Sequence, residues 1–519
     1  MPILMRAAGL AACLQPLAPA LLAAREGAGV ASTRDPVSQG LVGAILAAVF
    51  VLLARETAHR VLVVISAVAL LWGITYLTPF RLIGFEASAA ALDLNVLLLL
   101  AGMMAIVGVL KTTGAFDSAV GRLLEHGAGR PMRLAQMLLV FTAVMSAFMD
   151  NVTTVVFVTP MALAMARELG IRPAAFLLPV VMASNIGGTA TLIGDPPNIM
   201  IGSGANLSFL DFVENLAVPC LYIMLALDWF TRRRYGADLA AGRPAAAGRP
   251  APPLRDPRLF GWAAALTGGV FAGFLTHGLT GMPAAVPAVL GAAAILVVQD
   301  VLYLRANRPS AHERRHGMLH VIEREIEWPT LCFFAFLFIA VGAAVQTGLI
   351  DTIAQGLSAV IRQGSATLGL GDEGTVFFAA FLILWTSGLL SAVIDNIPFV
   401  AVAIPIVRQL VGELPGRTEA LWWALALGAC LGGNGSPVGA SANVTVLGLA
   451  EKEGTRISFG EFARFGAPVM VLSLLVSSAY LALEIHLGRD RALGLELAGL
   501  AALAALPALR SRRRRRAAT

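Results

Sequence analysis

The chain has 519 residues, of which 57% belong to the set AVILMFWYC and only 13% are Asp, Glu, Lys or Arg. Because soluble domains carry about 25% charged residues, this composition excludes a soluble enzyme, a disordered scaffold and a coiled coil, and indicates a polytopic membrane protein surrounded by lipid. The net charge of +6 is explained by basic residues in cytoplasmic loops, so we expect no nucleic-acid partner.

The N-terminal part of the chain contains an ambiguous segment followed by clear membrane spans. In residues 1–37, Arg6 precedes an apolar run that is compatible with a signal peptide, an extra span or a surface helix. Residues 38–93 are predicted to form the N-terminal transmembrane helices. A span needs about 20 apolar helical residues, and by this criterion the full spans are 38–54, 61–77, 94–110, 173–200, 216–231, 259–277, 283–302, 326–347, 420–447, 466–486 and 494–509.

Two further apolar stretches, 132–168 and 376–411, are each interrupted in the middle by an Asp-Asn pair. We predict that each forms a re-entrant hairpin with the pair at its tip; the alternative is two separate spans joined by a short polar turn. When each hairpin returns to its own side, most basic residues fall on the side of loop 55–60. The positive-inside rule then places the C-terminus in the cytoplasm, and we expect the protein in a bacterial inner (plasma) membrane.

The chain contains an internal repeat at a constant spacing of 245 positions, since Asp150 recurs as Asp395. The motif Ser-x-x-x-Asp-Asn occurs at 146–151 and again at 391–396, and a later Gly-Gly pair, a glycine and an asparagine recur at the same spacing. Chance similarity between apolar segments does not give the same polar residues at one spacing. In the topology above the copies begin on opposite sides, and inverted repeats with interrupted helices are typical of secondary transporters.

The repeat and the polar segments define the predicted organisation of the chain. The first inverted repeat comprises residues 94–234 and the second comprises residues 326–487. Between them lie a cytoplasmic linker rich in Gly, Ala, Pro and Arg, 235–258, and connecting helices with a basic loop, 259–325. A last helix and an Arg-rich cytoplasmic tail, 488–519, complete an all-α fold of about 11–12 transmembrane helices.

Each repeat contains a segment too rich in glycine and proline for a continuous helix, 185–198 in the first copy and 432–443 in the second. In a membrane protein, unwound backbone is tolerated where it lines a cavity, and its carbonyls suit a cation such as Na⁺. The candidate ion- or substrate-binding residues at the hairpin tips are Ser146, Asp150, Asn151, Thr153, Thr154, Ser391, Asp395 and Asn396. Those of the broken segments are Asn185, Gly187, Gly188, Thr189, Asp195, Asn198, Gly433, Asn434, Ser436 and Asn443.

Asp150 and Asp395 are the strongest candidates, because a carboxylate deep in a membrane protein is costly and usually marks an ion or proton path. Competition between H⁺ and Na⁺ for one carboxylate would be a physical basis for exchange. The alternative is structural: each Asp caps the second hairpin helix by accepting from backbone N–H groups, and the two roles can coexist. Asp195, which has Ala440 at the equivalent position of the second copy, is either a site residue or a turn former.

Two other features receive a different interpretation. Residues 312–316, HERRH, fit the H-E-x-x-H zinc-protease pattern, but they lie in a basic loop and leave the repeat unexplained, so an intramembrane zinc protease is a remote alternative. The cysteines lack metal-ligand or disulfide spacing, and we interpret them as small core residues: Cys13, Cys220, Cys332 and Cys430.

The segments 146–154, 185–198, 391–399 and 428–443 resemble the ion transporter superfamily, and within it the ArsB/NhaD permease group and its melanosomal P protein branch. The resemblance implies a homodimer with a scaffold domain and a transport domain that moves as an elevator, and two hairpins that meet at the substrate site. It also implies sodium sites, for which the candidates are Ser146, Asn151, Gly187 or Gly188, and Thr189 in the first copy, and Ser391, Asn396, Gly433 and Asn434 in the second.

The chain departs from the dicarboxylate carriers of this superfamily, whose hairpin tips carry Ser-Asn-Thr where this chain has Asp-Asn-Val and Asp-Asn-Ile. No arginine lies at either tip to pair with a carboxylate substrate. We therefore expect a secondary transporter, not an enzyme, that exchanges Na⁺ (or Li⁺) for H⁺ and needs no cofactor beyond these ions. The alternatives are a sodium-coupled anion or dicarboxylate carrier, an arsenite or antimonite efflux permease, and a channel.

Overall fold

The computed structural model describes residues 35–55, 58–127, 130–243, 251–307 and 319–516. Throughout these ranges the regular secondary structure is helical, and twelve of the described helices are long and apolar enough to cross a membrane. The all-α membrane fold and the expected number of spans are therefore confirmed. Most of the N-terminal segment 1–37 and the whole motif at 312–316 lie outside the described residues.

The chain divides into two compact units. The first unit contains Met1–Asp93 and Cys332–Gly356, and the second unit contains the remainder of the chain, including every candidate site residue. The described helices before Asp93 are α1 (Pro36–Arg55), α2 (Arg60–Leu77) and α3 (Phe85–Ala90).

The helices occur in the same order in the two repeats, which supports the internal repeat. Those of the first repeat are α4 (Leu94–Thr112), α5 (Ala115–Gly127), α6 (Pro131–Phe148), α7 (Asn151–Leu169), α8 (Ala174–Thr189), α9 (Pro196–Ala205) and α10 (Phe209–Ala240). Three described helices connect the repeats: α11 (Pro257–Thr280), α12 (Ala285–Asn307) and α13 (Leu319–Arg324). Those of the second repeat are α14 (Trp328–Gln346), α15 (Leu349–Leu368), α16 (Asp372–Ser391), α17 (Asn396–Glu413), α18 (Ala420–Gly432), α19 (Ser441–Lys452) and α20 (Phe459–Leu487), and α21 (Arg489–Arg516) follows.

The repeats share a turn after their first helix. Gly114, between α4 and α5, has a φ of 76°, and Gly348, between α14 and α15, has a φ of 75°. This left-handed conformation favours glycine. The helices that follow these turns are amphipathic rather than uniformly apolar, which is why the hydropathy criterion does not include them among the spans.

A helix, a short turn and a second helix occur at each Asp-Asn pair, which both a re-entrant hairpin and two separate spans predict, and each of these four helices is long and apolar enough to cross a membrane. Only Met149 and Asp150 separate α6 from α7, and residues 392–395 separate α16 from α17. The first hairpin turns because Met149 and Asp150 have extended ψ angles of 158° and 150°, which a helix cannot contain.

Both predicted broken helices are also present, so neither of the spans predicted at 173–200 and 420–447 is continuous. Residues 190–195 separate α8 from α9, whereas a 3₁₀ turn at Gly433–Gly435 and residues 436–440 separate α18 from α19. Two consecutive prolines open α9, and proline is favoured there because the first helical N–H groups have no partner inside the helix.

Helices of each repeat pack against helices of the other repeat, and the contacts are reciprocal. Helix α9 of the first repeat contacts α17 of the second, and α19 of the second contacts α7 of the first. Helices α8 and α18 contact each other, and every residue of both is buried. This reciprocal exchange is the contact pattern of two repeats related by an approximate two-fold axis, and the burial of α8 and α18 places them in the interior of the second unit.

The structure corrects the predicted boundaries around α10 and α20. Helix α10 continues to Ala240, so the linker predicted at 235–258 is helical at its start, because the side chains of Tyr235 and Leu239 are buried. The spans predicted at 216–231 and 466–486 are likewise the middle parts of α10 and α20, whose polar ends lie outside a hydropathy window.

Candidate ion-binding site between the repeats

The hairpins contact the broken helices backbone to backbone. A methyl group on Gly187 would lie 2.1 Å from the carbonyl oxygen of Ala143, and one on Gly432 would lie 2.4 Å from that of Gly388. These two contacts are equivalent under the spacing of 245 positions. Because a Cβ atom cannot occupy such a position, α8 and α18 carry glycine where they pack against α6 and α16.

Three backbone carbonyls of the first repeat lie close to the glycines at the break in its helix, and we call the carbonyls of Ser146, Gly188 and Gly194 the first cradle. A methyl group on Gly194 would lie 2.5 Å from the Ser146 oxygen and 2.6 Å from the Gly188 oxygen. The Ser146 hydroxyl, which accepts a hydrogen bond from Ser184 at 3.2 Å, lies 3.2 Å from the Cβ position of Gly188. The first repeat therefore concentrates neutral oxygen atoms around the break in its helix.

The equivalent carbonyls of Ser391, Gly433 and Gly439 form the second cradle. A methyl group on Gly439 would lie 2.7 Å from the carbonyl oxygens of both Ser391 and Gly433. The Ser391 hydroxyl donates to the carbonyl of Ala429 at 2.6 Å, which leaves its lone pairs as acceptors. Gly194 and Gly439 lie outside the predicted site residues, although the repeat contains the signal for them.

Hydroxyl groups attach each broken segment to its hairpin. Thr191 donates to the carbonyl of Ala147, and Ser436 donates to the carbonyl of Ala392, both at 2.5 Å. The Ala147 carbonyl belongs to the last turn of α6, which lacks partners within the helix. Ser436 is among the predicted site residues, whereas Thr191, its equivalent in the first repeat, is not.

One asparagine in each repeat holds the unwound backbone together. The Asn198 side-chain amide donates to the carbonyls of Thr189 at 3.0 Å and Thr191 at 2.9 Å. The Asn443 amide donates to the carbonyls of Gly433 and Ser436, both at 2.8 Å. Both asparagines are fully buried, so these bonds replace the helical hydrogen bonds that the break removes.

We expect Asn443→Ala to lower the free energy of unfolding by about 2–6 kcal/mol, because each of the two buried carbonyls left without a donor costs about 1–3 kcal/mol. Thermal unfolding of the detergent-solubilised protein measures the loss. Asn206→Gly is the control, because Asn206 is exposed and has a φ of 56° that glycine adopts readily. Equal melting temperatures for the two variants would contradict the role given to Asn443.

The two repeats are also joined to each other by side chains. Asn185 donates to Asn434 Oδ1 at 2.9 Å and to Asn443 Oδ1 at 3.1 Å, and it accepts from Asn151 at 3.4 Å. At the position equivalent to Asn185, the Cys430 thiol donates to Asn198 Oδ1 at 3.5 Å. Cys220 and Cys430 are buried as expected of core residues, whereas Cys332 is exposed and the core interpretation is wrong for it. Cys430 also lies at the candidate site, which its sequence spacing did not indicate.

The hairpin-tip carboxylates cap the second hairpin helices, so the structural role considered for them is confirmed. Asp150 accepts from the backbone N–H of Thr153 at 2.8 Å and from its hydroxyl at 2.5 Å. Asp395 accepts from the backbone N–H of Ile397 at 3.2 Å and from the hydroxyl of Ser441 at 3.0 Å. Both aspartates are half-buried, which leaves room for an ion-binding role beside the cap.

Asp195 has a different environment from the other two aspartates. It is only 1% exposed and precedes α9 without capping it through its side chain. Among the described residues its Oδ2 atom has no hydrogen-bond partner, and the same is true of the amide nitrogen of Asn434. These two atoms, one an acceptor and one a donor, are therefore available to a ligand at the site.

The helix ends give the site a field that favours cations. Helices α6, α8, α16 and α18 end here, and each C-terminus carries about half a negative charge. Helices α7, α9 and α17 begin here at Asp150, Asp195 and Asp395, and α19 begins at Ser441, which is bonded to Asp395. The positive ends of all four helices are therefore already matched with carboxylates.

The remaining predicted residues have local partners. The Thr154 hydroxyl donates to the Asp150 carbonyl at 3.0 Å, and the Thr189 hydroxyl donates to the Asn185 carbonyl at 2.7 Å. Asn396 is buried at the first turn of α17. Within the described ranges no group of three or more His, Cys, Asp or Glu side chains could hold a metal ion, and the motif at 312–316 lies outside them.

Comparison with known sequences gives a consistent class of proteins. The family model described as "Citrate transporter" (CitMHS) matches residues 48–428. An uncharacterized transporter of Mycobacterium tuberculosis (strain ATCC 25618 / H37Rv) is 37% identical over 447 residues, which cover 85% of this chain and 97% of that protein. The P protein of Homo sapiens is 31% identical over 519 residues, which cover 84% of this chain and 59% of that protein.

A solved structure shares the architecture. The crystal structure of the Alcanivorax borkumensis YdaH transporter, described as having an unusual topology, matches with a TM-score of 0.56 and covers 83% of this chain and 99% of that chain. At 16% sequence identity, the similarity concerns the fold.

Proposed function

The chain belongs to the citrate transporter (CitMHS) family, and from this premise we propose that it is an ion-coupled secondary transporter that exchanges Na⁺ (or Li⁺) for H⁺. It is a membrane transporter and not an enzyme, because the family and the related sequences and structure are transporters. The zinc-protease interpretation of residues 312–316 is therefore set aside.

The paired cradles are the observation that carries the proposal. Each cradle consists of three backbone carbonyls, one of which belongs to a serine, and such neutral oxygens at broken helices are suited to Na⁺ in secondary transporters. The sodium ligands that we propose are the carbonyls and hydroxyls of Ser146 and Ser391 and the carbonyls of Gly188 and Gly433, with the amides of Asn151, Asn396 and Asn434 beside them.

Asp150 and Asp395 would supply charge as well as caps. A cation in a buried site needs negative charge nearby to offset the loss of its hydration shell. The two carboxylates lie at the hairpin tips, one turn from the serines of the two cradles. A proton that binds to either carboxylate would remove this charge, which is how H⁺ and Na⁺ would compete.

An anion carrier is the second candidate, because the matching family model is named for citrate. An anionic substrate would require an unmatched helix N-terminus or a basic side chain, and the four N-termini at this site already face carboxylates. Uptake of labelled citrate or arsenite into proteoliposomes without proton movement would support an anion or metalloid carrier instead of exchange.

The assembly and the mode of movement follow from the family resemblance. We propose a homodimer in a bacterial inner membrane with its C-terminus in the cytoplasm, in which the repeats form a transport domain that moves as an elevator against a scaffold. Light scattering of the purified protein in detergent measures the number of chains, and a monomer that retains full transport would contradict the dimer.

We expect Asp150→Asn and Asp395→Asn each to reduce sodium-driven proton flux at least about tenfold, which corresponds to about 1.4 kcal/mol of lost cation binding. Asparagine caps a helix about as well as aspartate, so both variants should fold normally while they lose the charge. The measurement is sodium-driven alkalinisation or acidification of proteoliposomes that contain a pH-sensitive dye.

Asp256→Asn is the matched control. Asp256 caps α11 by accepting from the backbone N–H groups of Arg258 and Leu259, as Asp150 caps α7, but it is remote in sequence from both hairpins. Its variant should transport like the original protein. Normal flux in both hairpin-tip variants would leave only the capping role for Asp150 and Asp395.

A further inference from the structure

The two cradles differ by one buried carboxyl group. At the cradles, the serines and glycines of the first repeat have serines and glycines at the equivalent positions of the second repeat. Asp195 is the exception, because its equivalent position is occupied by Ala440. Asp195 directly follows Gly194, so its backbone nitrogen shares a peptide bond with a carbonyl of the first cradle. The second cradle has a methyl group at the same position.

Asp195 is the N-cap residue of α9, so the partial positive charge of that helix end lies beside its carboxyl group. Its electrostatic neighbours include two further carboxylates, Asp150 and Asp395, together with the thiol of Cys430 and the amide of Asn151. A thiol is a weak hydrogen-bond donor, and Cys430 directs its proton to Asn198. The Oδ2 atom of Asp195, on a side chain that is 1% exposed, has no hydrogen-bond partner among the described residues, and the residue adjoins the first cradle through its peptide bond to Gly194.

We propose that Asp195 makes the two cradles unequal, so that a sodium ion in the first cradle binds more tightly than one in the second. The inference rests on the proposed function, because it takes the cradles to be the cation sites. A carboxylate beside a cation attracts it even where the effective dielectric is high, so the two affinities should differ by at least about tenfold.

Radioactive sodium binding to the purified, full-length protein tests the proposal at a pH where cation binding is saturable. The original protein should have two classes of sodium site, one of high affinity (the tight class) and one of low affinity (the weak class). Asp195→Asn should weaken the tight class at least about tenfold and leave the weak class unchanged. Ala440→Asp, which adds the carboxylate to the second repeat, should strengthen the weak class and so make the two classes alike.

The outcomes separate this inference from the proposed function. Two classes that merge in Asp195→Asn and in Ala440→Asp support it. Two cradles of equal affinity in the original protein, or an Asp195→Asn variant with unchanged classes, would overturn it while leaving both cation sites in place. Absence of sodium binding in the original protein would overturn it together with the proposed exchange.

Discussion

Gly187→Ala is expected to lower the free energy of unfolding by about 3 kcal/mol or more and to abolish transport. The added methyl group would lie 2.1 Å from the carbonyl oxygen of Ala143, and neither partner can yield, because one belongs to α8 and the other to α6. The equivalent Gly432→Ala variant places its methyl group 2.4 Å from the carbonyl of Gly388 and should behave alike. Thermal unfolding in detergent and proton flux in proteoliposomes give the two measurements.

Gly268→Ala is the control for both variants. Gly268 lies within α11, where an added Cβ atom would meet nothing within 4 Å, and alanine is favoured over glycine in a helix by about 1 kcal/mol. Its variant should be as stable as the original protein or more so. If Gly187→Ala unfolds at the same temperature as Gly268→Ala, the result contradicts the close contact between Gly187 and the carbonyl of Ala143.

Much of the fold could be predicted from the sequence because it depends on local patterns. Membrane spans follow from apolar length, breaks from the density of glycine and proline, and the repeat from polar residues at one spacing. The turns at both Asp-Asn pairs and both broken helices are found where these patterns place them. The ends of α10 and the amphipathic helices α5 and α15 could not be predicted in this way, because polar residues on one helix face lower the mean hydropathy.

The contacts between the repeats could not be predicted, because they depend on packing rather than on spacing. The equivalence of Asn185 with Cys430 is visible in the sequence, but nothing there shows that one reaches Asn443 and the other reaches Asn198. The partners of Asp150 and Asp395 were open alternatives for the same reason. That the buried Oδ2 atom of Asp195 lacks a hydrogen-bond partner among the described residues is visible only when the surrounding side chains are in place.

The arrangement as a whole explains how a chain of low charge could select a cation. The oxygen atoms of the cradles are backbone carbonyls, which carry no net charge and cannot be removed by side-chain substitution. The carboxylates lie beside them at helix N-termini, where they are stabilised by about half a positive charge each. The proposed preference for a cation over an anion would follow from the orientation of eight helices, four of which end and four of which begin at the site.

Ser146→Ala and Ser391→Ala are expected each to weaken sodium binding at least about tenfold, equivalent to about 1.4 kcal/mol, and to act on different cradles. Each change removes one hydroxyl without adding volume and keeps the backbone carbonyl of the cradle. Sodium binding and sodium-driven flux are measured with the same preparations. If Asp195 strengthens the first cradle, Ser146→Ala removes the tight class and Ser391→Ala removes the weak one.

Ser473→Ala shows whether the loss of any buried hydroxyl has this effect. Ser473 is as buried as Ser146 and Ser391, and its hydroxyl donates to the Val469 carbonyl within α20 at 2.7 Å. Its variant should bind sodium normally, because it removes a hydrogen bond that its own helix supplies. If it weakens binding as much as the cradle variants do, the serines act through packing. If the two cradle variants alone weaken binding, each on its own class, the cation sites are the two equivalent breaks of the repeat.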